Sequence, residues 1–136
     1  MMLHPLCPDR VRKICGSFAF IEHRFLHDGF WADLTHYQLL LYLFLVMVAD
    51  RFGLSYYSYD KICTLLRLTV DEYIDARNAL IDKDLLGFDG RLFQVLSLPK
   101  RPKRQAGALL KTKQQMQRND PATIGRLIDQ AFGGKK

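Results

Sequence analysis

The stretch YQLLLYLFLVMVA, residues 37–49, runs for thirteen residues without a charge and constrains everything around it. It is shorter than the roughly 18 apolar residues a membrane-spanning helix needs, and Asp33 and Asp50 flank it. It is therefore expected to be a buried core helix. A helix that is apolar on all sides must be covered on all sides. In a chain of 136 residues that demand extends to a second copy, so a homodimer stays open. The N-terminus, MMLHPLCPDRVRKICGSF, lacks the apolar run and cleavage site of a signal peptide. Cys7, Cys15 and Cys63 are odd in number, widely spaced and in no CxxC pair, which favours free thiols and a cytoplasmic setting.

Helix boundaries are written in the polar residues. Thr35 and Gln38 have capping-box spacing, and DRFG at 50–53 should end the helix with Gly53 in a left-handed conformation. Ser58 is a candidate N-cap for a two-turn helix carrying Ile62, Leu65 and Leu66. Thr69 and Glu72 form a second capping-box pair. In the helix that follows, Val70, Tyr73, Ile74, Arg77, Leu80 and Ile81 share one face, with the Arg77 stem along the core edge. Asp71, Glu72, Asp75, Asn78, Ala79 and Asp82 lie on the other side. The period then changes to strand-like alternation around Asp89-Gly90, which predicts a hairpin closed by a type I′ turn with positive φ at both central residues. Upstream, SFAFIEHRFL suits either a short strand or a helical turn, and Phe30, Trp31 and Leu34 lead into the core. Asp120-Pro121 predicts a last helix with Ile124, Leu127, Ile128, Ala131 and Phe132 on one stripe, docking on its own core or on a partner.

Charge is unevenly spread. Residues 1–33 balance four basic and four acidic groups, residues 34–99 carry six against eight, and residues 100–136 carry ten against two. Basicity belongs to the tail, so an anionic partner is expected there. The expected organisation is an N-terminal extension 1–33, a domain 34–99, a basic linker 100–119 and a short helix with a flexible end 120–136.

From Thr35 to Leu98 the order helix, short helix, turn, helix, hairpin resembles a winged helix-turn-helix domain. YSYDKICTLLRLTVDEYIDARNALIDKDLLGFDGRLFQVL carries the likeness: DKICTLL as second helix, LTVDEYIDARNALIDKDLL as turn and recognition helix, GFDGRLFQV as a very short wing. The fold class this implies is mainly α with a small β-hairpin, followed by the basic tail. A small basic-tailed chain with this domain is similar to accessory and regulatory proteins of bacterial plasmids, phages and transposable elements.

The resemblance implies nucleic-acid binding, with duplex DNA favoured and RNA an alternative, and places outward recognition-helix residues at base edges. Here those are Asp71, Asp75, Asn78, Ala79 and Asp82. Asn78 could read adenine, whereas the carboxylates repel phosphate, and Asp84 stands where such helices commonly end in glycine. Phosphate contact is therefore expected from Tyr57, Ser58, Tyr59 and Lys61 at the second helix and from Arg91 on the wing. The tail adds Lys100, Arg101, Lys103, Arg104, Lys111, Lys113 and Arg118. The SYYSY tyrosines could also stack on unpaired bases, although packing onto the core is the favoured reading. The alternative function is an adaptor: Asp71, Glu72, Asp75 and Asp82 bind a basic protein partner while the tail binds RNA or another subunit.

Chemistry finds little support. His23 and His27 have i, i+4 spacing that can hold zinc, but the separation of Cys7 and Cys15 lacks finger spacing, so surface histidines and no metal are expected. Asp82, Asp84 and Asp89 could suggest a metal-dependent nuclease, but carboxylates near a helix end are more often solvated surface, and no enzyme is expected from them. Neither a phosphate-binding Gly-rich loop nor HExxH occurs. A non-enzymatic protein without cofactor is expected.

Overall fold

The structure, a computed structural model, describes residues 3–102 and 120–133. After an irregular segment come one helical turn, α1 (Arg24–His27), the core helix α2 (His36–Val48), strand β1 (Leu54–Tyr56), α3 (Tyr59–Leu66), α4 (Val70–Asp82), the hairpin β2 (Leu86–Phe88) and β3 (Leu92–Val95), and α5 (Pro121–Gly133). The chain is a mostly helical winged helix-turn-helix, with α3 and α4 as the helix pair and β2–β3 as the wing.

The capping signals act as read. Both capping boxes form, Thr35 with Gln38 and Thr69 with Glu72, and Ser58 caps α3. Leu41, Tyr42 and Leu45 of α2 are buried against Tyr73, Ile74, Leu80 and Ile81 of α4. Phe25 and Phe30 join the same core, with the Phe25 ring stacked parallel to Tyr42 at 4.7 Å. Arg24 donates to the Pro99 carbonyl, so the start of α1 is tied to the end of the wing segment.

The expected hairpin forms, and one strand is added to it: the sheet has the order β1-β3-β2, with Leu54 facing Gln94 and Tyr56 facing Leu92 across an antiparallel ladder. LSY escaped notice because three residues are too few for alternation to show against the tyrosines that follow. The hairpin turn is not type I′. Phe88 pairs with Phe93 and the Asp89 N–H donates to the Leu92 carbonyl, so Gly90 and Arg91 are the central residues; Gly90 has φ +102°, whereas among the described residues only Arg67 and Asp84 have positive φ without being glycine. Asp89 instead folds its carboxylate back, Oδ1 accepting the N–H groups of Arg91 at 2.9 Å and Leu92 at 2.8 Å. The side chain replaces the backbone geometry a type I′ turn would supply.

Asp84 does occupy the left-handed position after α4, at φ +63°, where glycine would be free of the Cβ penalty.

Candidate nucleic-acid interface

Ser58 stands at the junction of strand and helix. Its hydroxyl accepts the Lys61 N–H, which fixes the first turn of α3 and places Lys61 beside Tyr57 and Tyr59. Across from it the Asp89 turn projects Arg91, which is exposed. The two N–H groups aimed at Asp89 hold its carboxyl below the usual carboxylate range. Between junction and wing lies an open cleft of about 980 Å³, lined by Tyr57, Ser58, Tyr59, Lys61 and Arg91 and floored by Tyr73 and Phe88. Five residues singled out in sequence thus share one surface. Tyr56, the last residue of β1, adds a 68 % exposed ring to its rim. Tyr57 packs edge-on against Phe44 of α2, at 5.2 Å.

The recognition helix differs. Its two cations serve the fold. Arg77 is fully buried, deeper than the core edge expected for its stem. Lys83 reaches back to the start of α2, donating to the Asp33 carbonyl and to Gln38 Oε1 and pairing with the Asp33 carboxylate at 3.6 Å. Glu72 is committed to its cap, accepting the Thr69 N–H at 2.8 Å, and that bond together with the Tyr37 hydroxyl holds its carboxyl low. Asp71 and Asp75 are exposed, and Arg126 of α5 pairs with them at 3.6 Å and 2.8 Å. Asn78 Oδ1 accepts from Arg77 Nε at 3.3 Å and Nη2 at 3.2 Å. Bidentate reading of adenine needs both amide atoms of an asparagine, and here the oxygen is already engaged.

Arg77 is held from several sides. Its guanidinium lies over the rings of Tyr73, at 5.3 Å, and Phe88, at 5.1 Å. It forms a buried ion pair with Asp120, and Thr123 Oγ1 accepts from Nη2 at 2.8 Å. Asp120 also caps α5, accepting the Thr123 N–H at 3.1 Å. Burial pushes the Tyr73 hydroxyl up to about 12. Sequence reasoning saw Asp120 as a cap but not as the partner of a residue 43 positions away. An unpaired arginine on an otherwise apolar helix face was the available signal. α5 therefore docks on its own domain.

Lys100 and Arg101 lie within the described residues, and Arg101 is exposed. Lys103, Arg104, Lys111, Lys113 and Arg118 lie outside them. Among the described residues no group of histidine, cysteine and carboxylate side chains is placed to hold a metal, and no helix is long and apolar enough to cross a membrane.

The fold, an α3–α4 pair with a three-stranded wing sheet, defines the class as winged helix-turn-helix. Comparison agrees: residues 32–86, from before α2 to the first strand of the wing, match the family described as a helix-turn-helix domain. No curated protein and no solved structure matches the chain.

Proposed function

We propose that this chain is a non-enzymatic nucleic-acid-binding protein, an accessory or regulatory factor of a bacterial mobile element that acts on duplex DNA within a nucleoprotein complex. The domain docks through the cleft between the α3 start and the wing, and the tail supplies most of the phosphate contacts. The observation that carries this reading is the convergence of Tyr57, Ser58, Tyr59, Lys61 and Arg91 on one cleft while the recognition helix commits both of its cations internally. The helix-turn-helix match supports the DNA-binding class. The mobile-element setting rests only on the likeness to small basic-tailed proteins of that kind. The exposed Tyr37, Leu40 and Met47 on the outer side of α2 favour a homodimer as the acting form.

The test is a salt series of fluorescence-anisotropy titrations with duplex DNA, single-stranded DNA and structured RNA. If about six phosphates are contacted, log K falls with log salt at a slope near −5. Replacing Lys61 and Arg91 together with alanine should flatten that slope by about 2. An unchanged slope removes the cleft from the interface, and a preference for RNA over the duplex overturns the DNA reading.

One observation favours the adaptor reading as an alternative: Asp71 and Asp75 already receive a guanidinium, that of Arg126. An acidic helix face that accepts an arginine from its own chain has the chemistry to accept one from a basic partner protein.

A further inference from the structure

The contacts around Arg77 divide by origin. Tyr73, Phe88 and Asn78 belong to the domain; they flank the guanidinium plane and bind its Nε edge. Asp120 and Thr123 come from α5 and take its outward N–H groups. Only the Asp120 and Thr123 contacts depend on α5; the ring and Asn78 contacts belong to the domain. A carboxylate and a phosphate both present oxygen atoms that match the fork of an arginine. Asp120 also lines the cleft that holds Lys61 and Arg91, so its carboxylate stands on the path a polyanion would follow there.

The apolar attachment of α5 is small: of its described side chains Ala122 is buried and Ile124 half-buried, whereas Leu127 and Ile128 are 46 % and 51 % exposed. The Arg126 pairs end on carboxylates that are 77 % and 68 % exposed, and pairs to such exposed groups are weak. A helix held this way can be displaced by a competitor for the same guanidinium.

We propose that Arg77 is a phosphate-binding site which Asp120 occupies in the closed chain, and that α5 lifts when nucleic-acid phosphate replaces the Asp120 carboxylate. Lifting removes a negative charge from the cleft and turns a neutralised arginine, which lies against the cleft residues Tyr73 and Phe88, into an available cation. As a nucleic-acid site this rests on the duplex-binding reading above; as an anion site it does not.

The test uses the full chain with two changes that loosen α5 differently. Asp120→Asn keeps a good N-cap residue and removes only the charge facing Arg77. Arg126→Asp breaks the pairs with Asp71 and Asp75 without touching Arg77, and adding Asp75→Arg restores an ion pair with its sign reversed. Amide hydrogen exchange of residues 122–131 reports docking; titrations with inorganic pyrophosphate and with a short DNA duplex report the site. Faster exchange in α5 is expected in both single variants. Affinity for pyrophosphate and duplex should rise, by roughly tenfold for Asp120→Asn. The Arg126→Asp, Asp75→Arg pair should return both readouts toward the parent. Exchange that stays slow, or faster exchange with no gain for pyrophosphate, overturns the proposal. A gain for pyrophosphate with no duplex binding by any form keeps the anion site and overturns the duplex reading. Salt-dependent duplex binding by the parent with no gain on loosening does the reverse.

Discussion

Replacing Gly53 with alanine tests how the wing sheet is anchored, and the cost can be worked from the structure. Gly53 sits at φ +83° in the turn between α2 and β1. Its carbonyl accepts the Val95 N–H at 2.8 Å, and its own N–H donates to the Asp50 carbonyl at 3.0 Å. A Cβ added there would lie 2.5 Å from the Val95 carbonyl oxygen and 3.4 Å from two further Val95 backbone atoms. The left-handed conformation costs an alanine about 1–2 kcal/mol. Relieving the clash means moving the end of β3, which sacrifices a hydrogen bond worth about 1 kcal/mol. Lower entropy of the unfolded chain returns about 0.4–1 kcal/mol. The net loss is about 1–3 kcal/mol, or a fall in Tm of about 5–20 °C for a domain this small. Urea unfolding followed by circular dichroism measures it, with Gly16→Ala as a control, since nothing lies within 4 Å of a Cβ at Gly16. A loss below about 0.5 kcal/mol, the range of neutral surface changes, would refute this account of the turn.

Three further outcomes follow from local geometry. Arg67 closes α3 at φ +56° and is exposed, so Arg67→Gly should stabilise the domain by about 0.5–1 kcal/mol in the same unfolding assay; destabilisation would contradict the strain assigned to it. Thr69→Ala removes the hydroxyl that accepts the Glu72 N–H at 3.1 Å, and should cost about 1 kcal/mol. The Asp89 carboxyl is depressed by the Leu92 and Arg91 N–H groups. Its contribution to wing stability is therefore complete above its ordinary value of 3.8 and is lost as pH falls through the lower folded value. A carboxyl NMR titration with a midpoint at or above 3.8 would contradict the turn described.

The elements legible in sequence were those whose signals are local. Each cap lies within three residues of the N–H it satisfies, and the α2 and α4 core faces repeat at helical spacing over a full 13 residues. β1 was hidden because it has three residues and takes its register from a strand some forty positions away. The turn type was misread because Asp-Gly permits type I′ without requiring it, and the Asp89 side chain satisfied the turn another way. At the candidate site, the types of residue were visible but their convergence was not. Nothing in the spacing of Tyr57, Lys61 and Arg91 says that they share a cleft, nor that Arg77 meets Asp120.

The charged residues of the acidic helix α4 have partners within the fold. Glu72 closes a cap, Asp71 and Asp75 receive Arg126, and Arg77 and Lys83 fasten α5 and α2 to the helix. This arrangement bears on selectivity. Sequence is specified by contacts to base edges, whereas phosphate contacts only position a protein on the duplex. Asn78, the one outward residue suited to adenine, has its oxygen engaged by Arg77 while that guanidinium also holds Asp120. On the proposed function, a closed chain that meets DNA through Lys61, Arg91 and its basic tail would have charge to hold the backbone and little with which to discriminate bases. Scanning every base of a bound duplex should therefore show changes well below the 1–3 kcal/mol that a good bidentate pair confers. A single position with the full effect would mean that α4 reads the groove despite its charge, and that the cleft is not where the duplex lies.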